Sequence, residues 1–170
     1  GIKNVDANKM EIKTDLDTFK ADAACVIPAQ KAGAIALAAG VNDGDWCPVN
    51  PNSMASKADS KIYVLGDASV AKSMPKSGFS ANSQAKVAAN AVRGELTGSK
   101  VYPARYSNTC WSLIATDDGI KVGASYKAGE KKIDVVSKFV SKTGESAETR
   151  KATYEESIDW YNGMTADMFS

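Results

Sequence analysis

Apolar and polar positions change rhythm several times along this chain. Residues 1–21 alternate in places, as in Met10-Glu11-Ile12-Lys13, with turn signals at Asp6-Ala7-Asn8. That pattern predicts two short strands of a hairpin or meander. Residues 23–27 form a continuous apolar run closed by Pro28, the pattern of a buried strand, and place Cys25 inside it as a small buried hydrophobe. Residues 30–39 predict a short Ala-rich helix with Gly40 just past its end. Residues 41–60 are dense in Asn, Asp, Gly and Pro and read as a loop. A second apolar run, residues 62–65, is bounded by Gly66-Asp67 and predicts a buried strand ending in a turn. Ala81, Ala85, Ala88 and Val92 then recur at steps of four, three and four, which is one face of a helix.

The texture changes past residues 94–100, where two glycines and a serine in seven residues predict a hinge. Residues 106–115, 120–126 and 132–140 predict strands of an antiparallel sheet. Their turns fall at Thr116-Asp117-Asp118-Gly119 and at Ala128-Gly129-Glu130. Residues 141–151 are polar and predict a mobile segment. Thr153, with Glu156 three residues on, predicts the start of a terminal helix by a capping-box pattern. The expected buried stripe of that helix is Tyr154, Ile158, Tyr161, Thr165 and Met168.

At 170 residues the chain suits one domain or two small ones. The charges, 21 Lys and Arg against 20 Asp and Glu, nearly cancel, so no global field points to nucleic acid or a membrane surface. No apolar run approaches the length of a membrane-spanning helix, and the first residues do not read as a signal peptide. The chain has no histidine, which excludes Ser-His-Asp and Cys-His catalysis, histidine metal sites and haem ligation by histidine. Cys25, Cys47 and Cys110 show no CxxC spacing and are too few for a structural zinc site, so no metal site is expected. Their odd number leaves at least one thiol free or paired outside the chain.

The chemistry concentrates in residues 61–91. A strand, the acidic turn at Asp67, a loop holding Pro75, Lys76, Ser77 and Gly78, and a helix start together form a unit that can hold a polyol and an anion. The Asp67 carboxylate accepts hydrogen bonds from hydroxyls, while the N–H groups near residues 77–80 and the helix dipole favour negative charge. A plain strand–helix unit with a capped helix fits the same residues. Upstream, Trp46-Cys47-Pro48 lies in a loop, and Pro48 restricts Cys47 to an extended conformation, an arrangement that suits a displayed thiol. An ordinary loop cysteine beside an aromatic is the alternative.

Five stretches carry a family resemblance: WCPV (46–49), VLGDAS (64–69), MPKSGFSANSQAKVAANA (74–91), NTCWS (108–112) and the closing DWYNGMTADMFS (159–170), with IPAQKAG (27–33) upstream. In content, order and spacing they resemble the flavoprotein subunit of flavocytochrome c sulfide dehydrogenase, over essentially the whole chain. GDA is common to many flavin disulfide reductases; PKSG followed by SANSQ, together with NTCWS, is much more specific. Family members are longer and carry a Gly-rich dinucleotide fingerprint, a flavin-attaching cysteine and a cysteine paired with that of WCP. None of those regions occurs in these residues, so the resemblance implies a C-terminal part of the protein, inactive by itself.

The fold implied is α+β. Residues 1–99 would be the C-terminal portion of a flavin disulfide-reductase-like, FAD/NAD(P)-binding α/β module. Residues 100–170 would form a small α+β flavin-binding and interface domain with an antiparallel sheet and helices. The activity implied is periplasmic sulfide oxidation through a cysteine disulfide and FAD, with electrons leaving singly for a c-type dihaem cytochrome subunit. The partners implied are that subunit and the N-terminal half of the flavoprotein, with no nucleic acid and no membrane span. By the same resemblance Cys47 is the redox-active cysteine. Gly66, Asp67 and Ala68 approach the flavin's ribityl and phosphate chain. Lys76, Ser77, Gly78 and Phe79 lie near its pyrimidine edge, where positive charge stabilises the reduced anion. Cys110 matches a family cysteine and is expected to be a packed thiol.

Two other readings share some of these features. A sulfide:quinone reductase also has GDA and PK-G, but the terminal helix here carries Asp159 and Asp167 and no basic face, which argues against a membrane-surface site. A non-catalytic module that docks a cytochrome is the second. Lacking the Gly-rich N–H cradle for a pyrophosphate, the chain is expected to purify without stoichiometric FAD. Absorbance in the flavin bands of the purified chain checks this, and one tightly bound FAD per chain would show that Asp67, Lys76 and the helix start suffice.

Overall fold

Residues 1–169 are described by the computed structural model, and the first strands stand in a unit of their own, Gly1–Lys31. Strands β1 (Ile2–Asp6), β2 (Glu11–Thr14) and β3 (Thr18–Lys20) form an antiparallel meander, one strand more than the alternation predicted. Side chains that mimic backbone make both turns. The Asp6 carboxylate accepts from the N–H groups of Asn8 and Lys9, each at 3.1 Å. The Thr14 hydroxyl accepts from those of Leu16 and Asp17 at 3.1 and 3.0 Å. The run at 23–27 makes no strand, and Cys25 is exposed rather than buried. An apolar run becomes a strand only beside a pairing neighbour, and none of the described residues offers it one.

The second unit begins at Ala32. It contains α1 (Ala34–Ala38), the two-residue strands β4 (Cys47–Pro48) and β5 (Ser69–Val70), and α2 (Gly78–Thr97). The sheet strands β6 (Arg105–Ala115), β7 (Asp118–Ala128) and β8 (Ile133–Val140) follow, and then α3 (Ala147–Phe169). Strands β4 and β5 pair in parallel, and β6-β7-β8 form an antiparallel sheet in chain order. The chain is thus mixed α+β, with antiparallel sheets and three α-helices among the described residues.

One core runs through this unit. Val87 and Ala88 of α2 meet Ala104, Tyr106, Ala124, Tyr126 and Ile133 of the sheet region, together with Val49, Met54, Ala71 and Met74 from the loops. The buried Tyr106 hydroxyl donates to the Pro51 carbonyl at 2.6 Å, which satisfies its polar end. A smaller cluster gathers Ala32, Ala36, Val41 and Cys47.

Several expectations shift in register. Residues 62–65 are not a strand of a sheet. They pair with the preceding loop, the Ser56 N–H donating to the Ile62 carbonyl at 2.7 Å and the Val64 N–H to the Met54 carbonyl at 3.0 Å. The predicted hinge is helix as far as Thr97. Gly94 lies inside α2, tight against Val101, and Gly98 ends the helix in the left-handed conformation, φ 68°. The buried face of α2 is Ser80, Gln84, Val87 and Ala88, of which the predicted stripe held only Ala88.

Helix α3 begins six residues before the expected start. The Ser146 hydroxyl accepts from the Thr149 N–H at 3.3 Å, and the Ser146 carbonyl from the Arg150 N–H at 3.0 Å. The Glu148 carboxyl in the first turn is held below its usual range by its own backbone N–H and by Ser146. Residues 141–151 are therefore a turn and a helix start, with the Ser141 N–H donating to the Lys121 carbonyl at 2.8 Å. Thr153, expected as the cap, is 4% exposed in mid-helix, and Ile158, Tyr161 and Met168 of the expected stripe are exposed. The side facing the sheet carries Thr153, Ser157 and Trp160 instead.

Gly123 in β7 leaves no room for a side chain: a Cβ there would collide with the Asn108 carbonyl oxygen and the Phe139 ring. Gly163 in α3 has open space at the same position. Gly123→Ala is therefore expected to destabilise the chain, whereas Gly163→Ala adds up to about 1 kcal/mol by helix propensity. Urea denaturation of the two variants beside the parent checks both signs.

Candidate functional site

The expected cofactor residues collect around the start of α2. Gly66, Asp67 and Ala68 form a single 3-10 turn. Gly66 adopts φ 70°, a conformation that costs glycine little, and its N–H donates to the Gln84 side-chain oxygen at 2.7 Å. Gln84 is 1% exposed on the inner face of α2, so the turn is seated on the helix by a buried hydrogen bond. The Ser69 hydroxyl donates to the Gly66 carbonyl at 2.8 Å and closes the turn. Asp67 projects to solvent, and among the described residues its carboxylate has no hydrogen-bond or ion-pair partner.

Lys76 spans this turn and the Trp46–Pro48 segment. Its ammonium donates to the Asp67 carbonyl and, at 3.3 Å, to the Ser69 carbonyl. It also sits 3.7 Å from the centre of the Trp46 ring, a cation–π contact worth about 0.5–1 kcal/mol at an exposed site. The charge expected at a flavin edge is thus spent first on holding the GDA turn against the WCP segment. Between Trp46, Ser69, Met74 and Lys76 lies a cavity of about 190 Å³.

Ser77 caps α2, accepting from the Ser80 N–H at 3.1 Å. The Ser77 hydroxyl also donates to the Asn108 side-chain oxygen, which the Ser80 hydroxyl reaches at 3.1 Å. Gly78 opens the helix, and Phe79 turns into an aromatic cluster, stacked on Trp160 at 5.2 Å and tilted against Trp111 at 5.9 Å. The structure therefore brings Gly66, Asp67, Ala68 and Lys76 together, whereas Ser77 and Phe79 tie α2 to β6 and α3.

Cys47 is not a displayed loop thiol. It is 0% exposed, its backbone pairs in parallel with Ser69, and its side chain packs in the small cluster with Ala32, Ala36 and Val41. Burial pushes its thiol up from the ordinary range, and the nearby Lys76 charge offsets part of that. A thiol that is both enclosed and hard to ionise is a poor nucleophile here.

Cys110, expected as a packed thiol, lines the wall of a cleft of about 520 Å³. The floor of this cleft is Val122, Gly123 and Ala124 of β7, with Phe139 on β8 and Pro75 from the loop before α2. The Asn108 side-chain amide donates to the Cys110 sulfur at 3.4 Å, a contact that fixes the direction of the side chain. Asn108 and Gln84 escaped the sequence reading, and Ser80 entered it only through its backbone N–H, although Ser80 and Gln84 share the inward face with Ala88. A polar residue on the buried face of a small-residue helix was the available signal.

Iodoacetamide labelling followed by mass mapping is expected to modify Cys25 first, Cys110 next and Cys47 last. Early labelling of Cys47 would mean that the β4–β5 pair opens readily.

The sequence of β6 through α3 also has counterparts among known proteins. Residues 102–169, which hold Cys110 and most of the cleft, match the family described as flavocytochrome c sulphide dehydrogenase, flavin-binding, as a C-terminal part of that flavoprotein subunit would.

Proposed function

We propose that this chain is the C-terminal part of a periplasmic flavoprotein that oxidises sulfide through a cysteine disulfide and FAD and passes electrons to a c-type dihaem cytochrome. The observation that supports the reading most directly is the cleft beside Cys110, which lies in the matched flavin-binding region and is bordered by the loop before α2. Its chemistry suits a flat ring system. Its lining is mixed: Val122, Ala124, Phe139 and Val140 supply apolar surface, with only a methyl group at Ala124, and Ser73, Asn108, Cys110, Tyr126 and Lys138 supply polar groups. The exposed Asp67 carboxylate, held on the turn that Lys76 clamps, is free to accept from hydroxyls of a polyol chain. The end of α2 nearest this turn carries the partial positive charge of the helix dipole. Residues 1–99 remain assigned to the flavin disulfide-reductase-like module and residues 100–170 to the flavin-binding domain.

When bound, the flavin supplies a two-electron acceptor. The chain's own contribution is a thiol and its setting. Cys110 takes the redox role in this proposal, because it opens on the cleft and receives a hydrogen bond from Asn108, whereas Cys47 is enclosed. The resemblance gives a disulfide partner to the cysteine of WCP; in this proposal that partner, in the N-terminal half of the flavoprotein, pairs with Cys110 instead. Attack by HS⁻ on that disulfide forms one new sulfur–sulfur bond, as a persulfide, and breaks the old one. The electron pair of the broken bond stays on the departing thiolate.

The test uses the flavoprotein with both halves present, mixed anaerobically with sulfide while flavin absorbance is followed. Cys110→Ser is expected to keep the oxidised flavin spectrum and to slow bleaching by at least about 10²-fold, because no disulfide is then left for HS⁻ to attack. Cys47→Ser is expected to bleach near the parent rate. The opposite ranking would move the redox role to Cys47, and bleaching unaffected by either variant would end the disulfide reading.

A further inference from the structure

A second cleft, of about 420 Å³, opens beside the strand pair β4–β5 and plays no part in the proposal above. Its floor is apolar and rigid: Pro48, Val49, Val70 and Ile133 line it, and Val49 and Ile133 are 6% and 2% exposed. Four ammonium groups line it, from three segments distant in the chain. Lys57 follows the Val49–Ser56 bridge, Lys72 lies in the turn after β5, and Lys131 and Lys132 lie in the turn between β7 and β8. One carboxylate, Asp43, lines the same cleft.

The chain pairs many of its lysines: Lys61 with Glu95, Lys86 with Asp167, Lys121 with Glu156 and Lys151 with Asp117. At this cleft it does not. Among the described residues Lys57, Lys72 and Lys131 make no ion pair, and Lys132 makes a long one to Asp134 at 3.9 Å. Like charges brought to one concavity repel, and low-dielectric walls focus their field outward into it. Lys72 is moreover held at φ 54°, a left-handed backbone that non-glycine residues rarely adopt and that turn geometry must sustain. The loops are anchored: the Lys57 N–H donates to the Pro48 carbonyl at 3.0 Å, and the Gly129 N–H to the Lys132 carbonyl at 2.8 Å. A solvated lysine face needs neither the concavity nor the fixed loops.

We infer that this cleft is a binding site for a small polyvalent oxyanion of diphosphate size. Ammonium groups from several directions surround a compact, multiply charged anion better than a flat or singly charged one, because each is a point charge with three rotatable donors. The floor excludes water on one side, so the pairs formed are stronger than on open surface.

The test is calorimetric titration of the 170-residue chain with inorganic diphosphate, alongside backbone-amide NMR shifts. Binding is expected at low salt, with shifts at Val49, Val70, Lys72 and Ile133, and is expected to weaken by at least about tenfold when salt is raised to 1 M and the Debye length falls to about 3 Å. The variant Lys57→Ala/Lys72→Asn/Lys131→Ala, in which asparagine tolerates the left-handed backbone, is expected to lose binding by at least about tenfold at an unchanged circular dichroism spectrum. Lys57→Arg keeps the charge and Lys142→Ala lies outside the cleft, so both are expected to retain binding. Absence of binding at low salt, shifts confined to other residues, or full binding by the triple variant would each overturn the inference. So would competition by FAD for the same amides, which would make the cleft part of the flavin's own site. An unfolded triple variant moves the decision to the single variant Lys57→Glu, whose undiminished binding would also overturn it.

Discussion

Asn108 accepts hydrogen bonds from Ser77 and Ser80 where it is 3% exposed, and the organisation of the second unit depends on that arrangement. Two of the donors are on the first turn of α2 and the acceptor is on β6, so the helix start is fixed to the sheet at one point. One helical turn further along, buried Gln84 takes the Gly66 N–H and fixes the GDA turn to the same helix. Ser80, Gln84 and Asn108 are buried, and removing the partner of one of them would leave it unsatisfied at about 1–3 kcal/mol. Apolar contacts alone would let α2 slide or turn against the sheet, because its inner face is largely small residues. The polar network sets the register, and with it the distance between the PKSG loop and the cleft floor at Gly123.

Electrostatics around Lys76 illustrate how one side chain serves structure before chemistry. Its ammonium neutralises two carbonyl dipoles of the Gly66–Ser69 segment and covers the Trp46 ring. Those contacts pull the turn and the WCP segment together, and the parallel pairing of Cys47 with Ser69 completes the joint. The consequence for Cys47 is enclosure. The same charge that would favour its thiolate sits outside a packed cluster whose desolvation works the other way, and desolvation is the larger effect.

Much of this was legible in the residues. The β6–β8 sheet and its two turns follow from alternation and turn signals, because strands adjacent in the chain pair with one another; α2 was read as a helix, but from an apolar stripe of which only Ala88 faces inward. The failures share a cause. The runs at 23–27 and 62–65 look like strands, yet a strand's identity rests on a partner that local pattern does not reveal; the first has none among the described residues and the second pairs with its own loop. The start of α3 was missed because Thr153 carries the capping-box signal and Ser146 does not, yet Thr153 is buried within the helix and Ser146 makes the cap. Cys47 was misplaced for the opposite reason: a polar, proline-containing loop suggests exposure, but short parallel pairing and Lys76 fold it inward. At Cys110, burial on one side and a cleft on the other cannot be read from a strand alternating in its usual way.

The resemblance motifs acquire a physical reason once they are placed in space. Phe79 belongs to the stretch after PKSG, Trp111 to NTCWS and Trp160 to DWYNG, and the three rings meet with centroids 5.2 to 5.9 Å apart. Each pair in that range contributes about 0.5–1.5 kcal/mol beyond the area it buries. They come from the first turn of α2, the middle of β6 and the second half of α3, so one cluster locks the terminal helix onto the cleft-forming elements. The Trp111 indole N–H is buried there without a partner among the described residues, a cost the rings must outweigh. A cluster kept at that expense acts through ring area and shape rather than through a polar contact. It also explains why three short motifs, far apart in the chain, occur together: each supplies one wall of a joint that the other two would leave open.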